Sequence, residues 1–388
     1  MCIFRKNNGK GKYHIFYEQK YDSRKVAFSK SKNFIRSCLH SNLIKYNHSN
    51  SNIEPKISVV IPLYNCHSYI LRAIKSIQLQ TLSNFEVILI DDKSKDNTIN
   101  IINRIKNEDN RIKLIRNTKN RGILYSRSIG VLNAKGKYLF TLDNDDMFLN
   151  SDIFETITKI SERGNFDIVE FKAITNRILK NDIINNKIVD SIFSHQKQFI
   201  LFQPQLGRYP ITIIKSGKVI KYHDIFLWGK GIKTEVYQKA LNKLGIQRYS
   251  RYMIRYEDIL ANYMIFNTAQ SFISIQKYGI YHVDRKWSGA DLGKKRISRT
   301  TNLLYLIDIV FDLSLIKMNY KNLTALLIIY FLKLPDSRQK LLKKPYRMQL
   351  FNSCIRRVLN TTLISKYYKR KIMKLYRRYR FRLPPSKK

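Results

Sequence analysis

At 388 residues the chain is long enough for one large domain or two modest ones, and its 44% hydrophobic content supplies a real core. Lys and Arg outnumber Asp and Glu by 72 to 28, a formal net charge of +44. That field favours polyanions such as nucleic acid, nucleotide phosphates or an acidic membrane leaflet, without choosing among them.

The four cysteines, Cys2, Cys38, Cys66 and Cys354, contain no C-x-x-C pair. This argues against a zinc site or a disulfide framework and for a reducing compartment. No apolar segment follows Met1 and no run of about 18 apolar residues occurs, so neither a signal peptide nor a membrane span is expected. The stretch LTALLIIYFLKL at 323–334 has the length of a buried helix.

Residues 1–54 are basic, rich in Ser and Asn and weakly patterned, which reads as a poorly ordered arm. From Lys56 the texture changes. ISVVIPL (57–63), FEVILID (85–91), IKLIR (112–116), YLFTL (138–142) and DIVEFKA (167–173) read as strands. Helical periods at 68–80, 98–107 and 122–134 separate the first four. Strands apolar on both faces and alternating with helices predict a Rossmann-like α/β fold, a mostly parallel sheet covered on two sides.

Open parallel sheets bind ligands beyond the carboxyl ends of their strands. The first strand ends at Pro62-Leu63-Tyr64-Asn65, the second at Asp91-Asp92, and a later one at Asp143-Asn144-Asp145-Asp146. All of these polar groups fall on one edge, which defines a site. The crowded acids at 143–146 suit a hard divalent cation, Mg²⁺ or Mn²⁺, whose charge offsets their repulsion. The competing reading is a helix N-terminus, where the dipole favours acids; Asp152 competes for that cap. In IDDKSKDNT (90–98), capping accounts for Ser94, Asp96 and Thr98 but poorly for Asp91 and Asp92.

Taken in order, VVIPLYN (59–65), DDKSKDNT (91–98), NRGILYSRSIG (120–130) and LDNDD (142–146) make the stretch from 56 to 173 resemble the family-2 glycosyltransferases, whose catalytic domain has the GT-A fold. The resemblance implies an inverting, metal-dependent hexosyltransferase that uses Mn²⁺ or Mg²⁺ and a nucleotide-diphosphate sugar, a UDP-sugar above all. A glycan, lipid or protein would be the acceptor. Asp143 and Asp145 match the DxD motif that holds metal and diphosphate, with Asn144 between them and Asp146 as a supporting neighbour. Pro62, Tyr64 and Asn65 match the first nucleotide-contacting loop, and Asp91 or Asp92 the base and ribose contact. Asn120, Gly122 and Arg127 match a segment lining the donor pocket, with Ser126 and Ser128 where the family more often has Ala and Asn.

Downstream, FLWGKGI (226–232) resembles the family's Trp-x-Lys segment, and RYEDIL (255–260) its Glu-Asp pair. Asp258 is implied as catalytic base, with Glu257 in reserve. A helix N-terminal acid pair is the plainer alternative, because EDILANYMIF is helical in pattern. In YHVDRKWSG (281–289), Arg285, Lys286 and Ser288 are candidate diphosphate neighbours and His282 a candidate metal ligand, while Trp287 stacks on a sugar or packs. The other function consistent with these residues is a catalytically inactive nucleotide-sugar or polyanion-binding protein on the same fold.

The implied organisation is an arm at 1–54 and a GT-A domain at 55–295, with its nucleotide-sugar half at 55–175 and its acceptor half at 176–295. A helical, basic extension follows at 296–388. From Ser337 onward the chain has no acid. This tail suits an anionic lipid surface or is a solvated lysine-rich end, with nucleic acid the weaker fit. The expected location is cytoplasmic, either soluble or peripheral on a membrane.

Overall fold

The computed structural model describes residues 2–5, 34, 37, 38, 44–46, 54–178, 200–202, 213–215, 218–221, 226–245, 257–285, 309, 345–360 and 366–378. The strands are β1 (Cys2–Arg5), β2 (Ile57–Leu63), β3 (Phe85–Asp91), β4 (Ile112–Arg116), β5 (Tyr138–Thr141), β6 (Met147–Phe148), β7 (Ile168–Ile178), β8 (Ile200–Phe202), β9 (Ile213–Lys215), β10 (Lys218–Lys221), β11 (Lys230–Lys233) and β12 (Ser271–Arg285). The helices are α1 (Ile70–Gln78), α2 (Thr98–Glu108), α3 (Ile123–Leu132), α4 (Ile153–Gly164), α5 (Thr234–Leu244), α6 (Glu257–Thr268), α7 (Pro345–Asn360) and α8 (Lys366–Arg378).

The chain divides into two units. The first comprises 1–252 with 261–288, the second 253–260 with 289–388. In the first, ten of the described strands form one sheet whose main path runs β1-β12-β7-β11-β5-β2-β3-β4. Strands β5, β2, β3 and β4 are mutually parallel, as are β7 and β12. Strand β11 runs antiparallel between β5 and β7 and so keeps those two sets in the same direction. The expected sheet is therefore present with six strands parallel, β11 reversed at its centre, and β1, β6 and β8 also reversed.

Every residue of β2, β3 and β5 is buried, as expected for strands covered on both faces. Helix α1 buries Ile70, Ala73, Ile74 and Ile77 at helical spacing. Helix α3 crosses the sheet closely enough that a Cβ on Gly130 would lie 2.4 Å from Val60 Cγ1 and 2.5 Å from Ile90 Cδ1. Any larger residue there would have to push aside the side chains of Val60 and Ile90. Beneath the far face, Phe140 stacks on Phe154 at 5.2 Å and meets Phe148 edge-on at 5.8 Å. Phe140 and Phe148 flank the acidic stretch, so both ends of it are anchored in the core.

Parts of the N-terminal 54 residues have defined places. Strand β1 pairs antiparallel with β12, Cys2 opposite Ser274. Tyr46 donates its backbone N–H to Glu108 O at 2.7 Å and accepts from Asn110 N. The Arg111 guanidinium lies 3.6 Å from the Tyr46 ring centre and 4.0 Å from that of Phe85, and it is paired with the buried Asp109 at 2.8 Å. This combines cation–π attraction with charge-assisted hydrogen bonding. Among the described residues Cys38 and Cys66 are free thiols, both buried, and burial is what pushes each up to about 12. Among the described residues no helix is long and apolar enough to cross a membrane; residues 323–334 lie outside them.

Candidate active site

Strand register brings the candidate residues to one edge. Leu63 lies opposite Asp91, Asp91 opposite Arg116, and Val60 opposite Thr141. The chain leaving β2, β3, β4 and β5 therefore emerges on the same side, as anticipated for a crevice at the carboxyl ends.

The loops after β2 and β3 are laced together. Asn65, held at φ 50°, donates its backbone N–H to Ser94 Oγ at 3.0 Å, and its side-chain oxygen accepts from Lys95 N at 2.8 Å. Asp96 accepts from Thr98 N and Oγ1 through one oxygen and from His67 N and Nδ1 through the other. Desolvation works to raise its pKa, but these donors outweigh it and hold the carboxyl at about 2. Asn97 takes the N-cap position of α2 without a side-chain cap bond. Asp96 and Thr98 thus do their work between loops as well as at the helix end.

Asp91 and Asp92, indistinguishable as a pair in sequence, have different surroundings. Asp92 Oδ1 accepts from Asn117 Nδ2 and Arg121 N, and Oδ2 from Gly122 N, each at 2.8 Å. It is 4% exposed and braces the loop entering α3, where Gly122 adopts φ 86°. Asp91 accepts from Ser94 N through Oδ1. Its Oδ2 is buried without a hydrogen-bond donor, with Arg116 Nε 3.6 Å away. Asn120 Oδ1 is likewise buried without a donor. Among the described residues, then, Asp91 Oδ2 has only the Arg116 ion pair and Asn120 Oδ1 has no hydrogen-bond donor.

The acidic turn is held from three sides. Asp146 N donates to Asp143 O at 3.1 Å, closing the turn. Asn144 Nδ2 donates to Pro62 O at 3.0 Å, tying it to the end of β2. The Arg127 guanidinium, 3% exposed, donates from Nη2 to Asp143 Oδ1 at 2.9 Å. Helix α4 begins only at Ile153, with Asp152 at its N-cap position, so the acids at 143–146 do not cap that helix. Asp152 makes no cap bond and pairs with Lys277.

Asp146 faces inward. It is fully buried, receives Val283 N at 3.0 Å, and sits 3.0 Å from His282 Nδ1 through both oxygens. Burial raises the Asp146 carboxyl and is opposed by the neighbouring imidazole. Burial also works against protonated His282, yet the adjoining carboxylate raises it above its ordinary value. His282 in turn stacks on Trp228 at 5.1 Å, and Trp228 on Phe226 at 4.6 Å. Buried Lys230 fixes this segment by donating to Phe226 O at 2.7 Å while pairing with Glu170 at 3.3 Å.

Asp143 and Asp145 are partly exposed at the strand edge and offer hard oxygen ligands that suit Mg²⁺ or Mn²⁺ completed by phosphate oxygens. Among the described residues no group of three His, Cys, Asp or Glu side chains forms a set able to hold an ion. His282, a candidate third ligand by sequence, directs Nδ1 to Asp146.

Tyr64 is 46% exposed beside this edge. Glu257 and Asp258 open α6, Glu257 buried and Asp258 partly so. Both belong to the second unit. Arg285 ends β12, with its side chain outside the described residues; Lys286, Trp287 and Ser288 lie outside them altogether. The Asp146–His282 and Asn144–Pro62 bonds span 136 and 82 positions, and no local pattern announces either.

Residues 58–207 match the family Glycosyl transferase family 2. An uncharacterized glycosyltransferase of Rickettsia conorii is 43% identical over 113 residues, 29% of this chain and 18% of that protein. Escherichia coli WfaP, a UDP-Glc:alpha-D-GlcNAc-diphosphoundecaprenol beta-1,3-glucosyltransferase, is 34% identical over 137 residues, 35% of this chain and 51% of that enzyme. The chain thus spans from about a fifth to half the length of these two relatives. TarS residues 1–349 of S. aureus, crystallised with UDP-GlcNAc, superpose with a TM-score of 0.54 at 16% identity, covering 83% of this chain and 89% of that one. Residues 58–207 are thus similar to family-2 glycosyltransferases, and the fold is shared with TarS.

Proposed function

We propose that this protein transfers a sugar from a nucleotide-diphosphate sugar to an acceptor hydroxyl, with inversion at the anomeric carbon. The observation that carries the reading is the acidic turn at the end of β5. It presents Asp143 and Asp145 at the sheet edge while Arg127, Asn144 and the Asp146–His282 pair hold it in place. A rigid pair of carboxylates suits repeated capture of a charged diphosphate complex.

In this reading Asp145 and Asp143 would hold Mg²⁺ or Mn²⁺ beside the donor diphosphate, and the ion, when bound, would supply Lewis-acid stabilisation of charge on the leaving group. Tyr64 and the Asn65 loop border the nucleoside. Asp91 Oδ2 and Asn120 Oδ1, buried acceptors lacking donors, receive its N–H or O–H groups. Arg127 orients Asp143, Asp92 and Gly122 set the loop that carries Asn120, and Arg285 neighbours the diphosphate. Asp258, with Glu257 in reserve, removes the proton from the acceptor hydroxyl. Direct displacement then needs no covalent sugar–enzyme bond.

The E. coli relative's name includes a UDP-glucose donor and a lipid-diphosphate acceptor, and TarS was crystallised with UDP-GlcNAc. Both favour a UDP-sugar here, and the E. coli name a lipid-linked glycan acceptor. The test is release of nucleotide diphosphate from a panel of nucleotide sugars with Mn²⁺ or Mg²⁺, with and without acceptors. Turnover that disappears in Asp145→Ala supports the proposal. Binding of a donor with no turnover across the panel overturns the transferase reading in favour of a nucleotide-sugar-binding protein.

A further inference from the structure

Residues 337–388 carry 18 Lys and Arg and no Asp or Glu. Within this stretch α8 sorts its residues by side. Lys366, Arg370 and Lys374 recur at every fourth position and all three are exposed, with Tyr367 beside them at 52% exposure. Ile372, on the opposite side of the helix, is fully buried. The Lys371 ammonium lies 5.6 Å from the Tyr367 ring centre, on the flank of the cationic row.

Like charges at i, i+4 and i+8 repel along a helix, and no acid in the surrounding 52 residues relieves them. One straight row, about 12 Å long at 1.5 Å per residue, with an amphipathic phenol at its edge, matches a flat negative surface. Tyrosine is at home at the headgroup level of a bilayer, where its ring is partly immersed and its hydroxyl remains wet.

We propose that the Lys366–Tyr367–Arg370–Lys374 face of α8 is a docking surface for an anionic lipid bilayer. The cations meet lipid phosphates, Tyr367 enters the interface, and Ile372 remains within the second unit. The proposal stands apart from glycosyl transfer, because lipid binding by this face needs neither donor nor acceptor.

Flotation of the full chain with vesicles tests it. Vesicles of phosphatidylcholine with roughly 30% phosphatidylglycerol are expected to carry the protein at about 0.15 M salt, and pure phosphatidylcholine vesicles are not. The exposed triple variant K366S/R370S/K374S is expected to lose about a hundredfold in affinity, at roughly fivefold per charge removed. R104S/K135S/K159S removes three exposed cations elsewhere and is expected to stay within about twofold. Circular dichroism of both variants is expected to match the parent.

Equal loss in the two variants would show that diffuse charge does the binding and would overturn the assignment. So would unchanged binding by K366S/R370S/K374S, or binding to neutral vesicles as strong as to anionic ones. Capture of a single-stranded RNA oligonucleotide through the same three cations, with no vesicle binding, would replace the lipid by nucleic acid.

Discussion

Arg127 and Asp143 join α3 to the turn after β5 through a 2.9 Å hydrogen bond, and the guanidinium is almost wholly withdrawn from solvent. Sixteen residues separate them. The pairing fixes one oxygen of Asp143 and so sets the direction of the other. Arg127→Lys keeps the charge and loses the planar fork. The expected result is a rise of about tenfold in donor KM, with a melting temperature within a few degrees of the parent. Steady-state kinetics beside a thermal scan would check it.

The acids of the turn are expected to divide between chemistry and stability. Asp145→Ala, at a partly exposed position, should lower nucleotide diphosphate release by a hundredfold or more while leaving the unfolding midpoint in urea nearly unchanged. Asp146→Ala strands His282 and Val283 N–H in the interior. Its expected cost is about 3 kcal/mol of stability. Equal loss of stability in the two variants would contradict this division.

The adjacent acids at the end of β3 give a second contrast. Asp92→Ala removes the acceptor for Asn117 and for two backbone N–H groups, with an expected loss of about 3 kcal/mol and a displaced Asn120 loop. Asp91→Ala should act mainly on donor affinity, measured by titration calorimetry with a nucleoside diphosphate. A nucleotide affinity unchanged in Asp91→Ala would remove that residue from the donor site.

Asp96 provides a pH test. Its carboxyl is lowered from an ordinary 3.8 to about 2, so the stabilisation it contributes is complete above the unfolded value and is lost as pH falls through the folded one. Urea unfolding of wild type and Asp96→Asn should differ by about 1–2 kcal/mol at pH 5 and converge near pH 2. A constant difference across that window would show that the carboxylate charge is not what links the two loops.

For the acceptor side, Asp258→Asn is expected to retain donor binding and lose transfer by at least about a hundredfold. Glu257→Gln should retain most of the activity. Equal transfer by Asp258→Asn and the parent would take Asp258 out of the mechanism.

Much of the first unit was legible along the chain. The β-branched runs at 57–63, 85–91 and 112–116 coincide with β2, β3 and β4, because a strand buried on both faces must be apolar throughout. The site's edge followed, since strands joined by helices run parallel and end together. The reversed strand β11 was not legible. KGIK is four residues long and carries no pattern; its place between β5 and β7 comes from pairing with residues at least 60 positions away.

The same boundary runs through the site itself. Residue type and spacing determined that acids crowd the end of β5 and that Asp91-Asp92 lie on the same side. Tertiary structure alone decided which acid is which. Asp146 is turned inward onto His282, Asp143 is held by Arg127, and Asp92 is consumed by the loop before α3 while Asp91 keeps an acceptor without a donor. A carboxylate's role depends on the donors that surround it, and here the main donors come from distant stretches of chain. Local sequence records the charge, and only the folded chain supplies its partner.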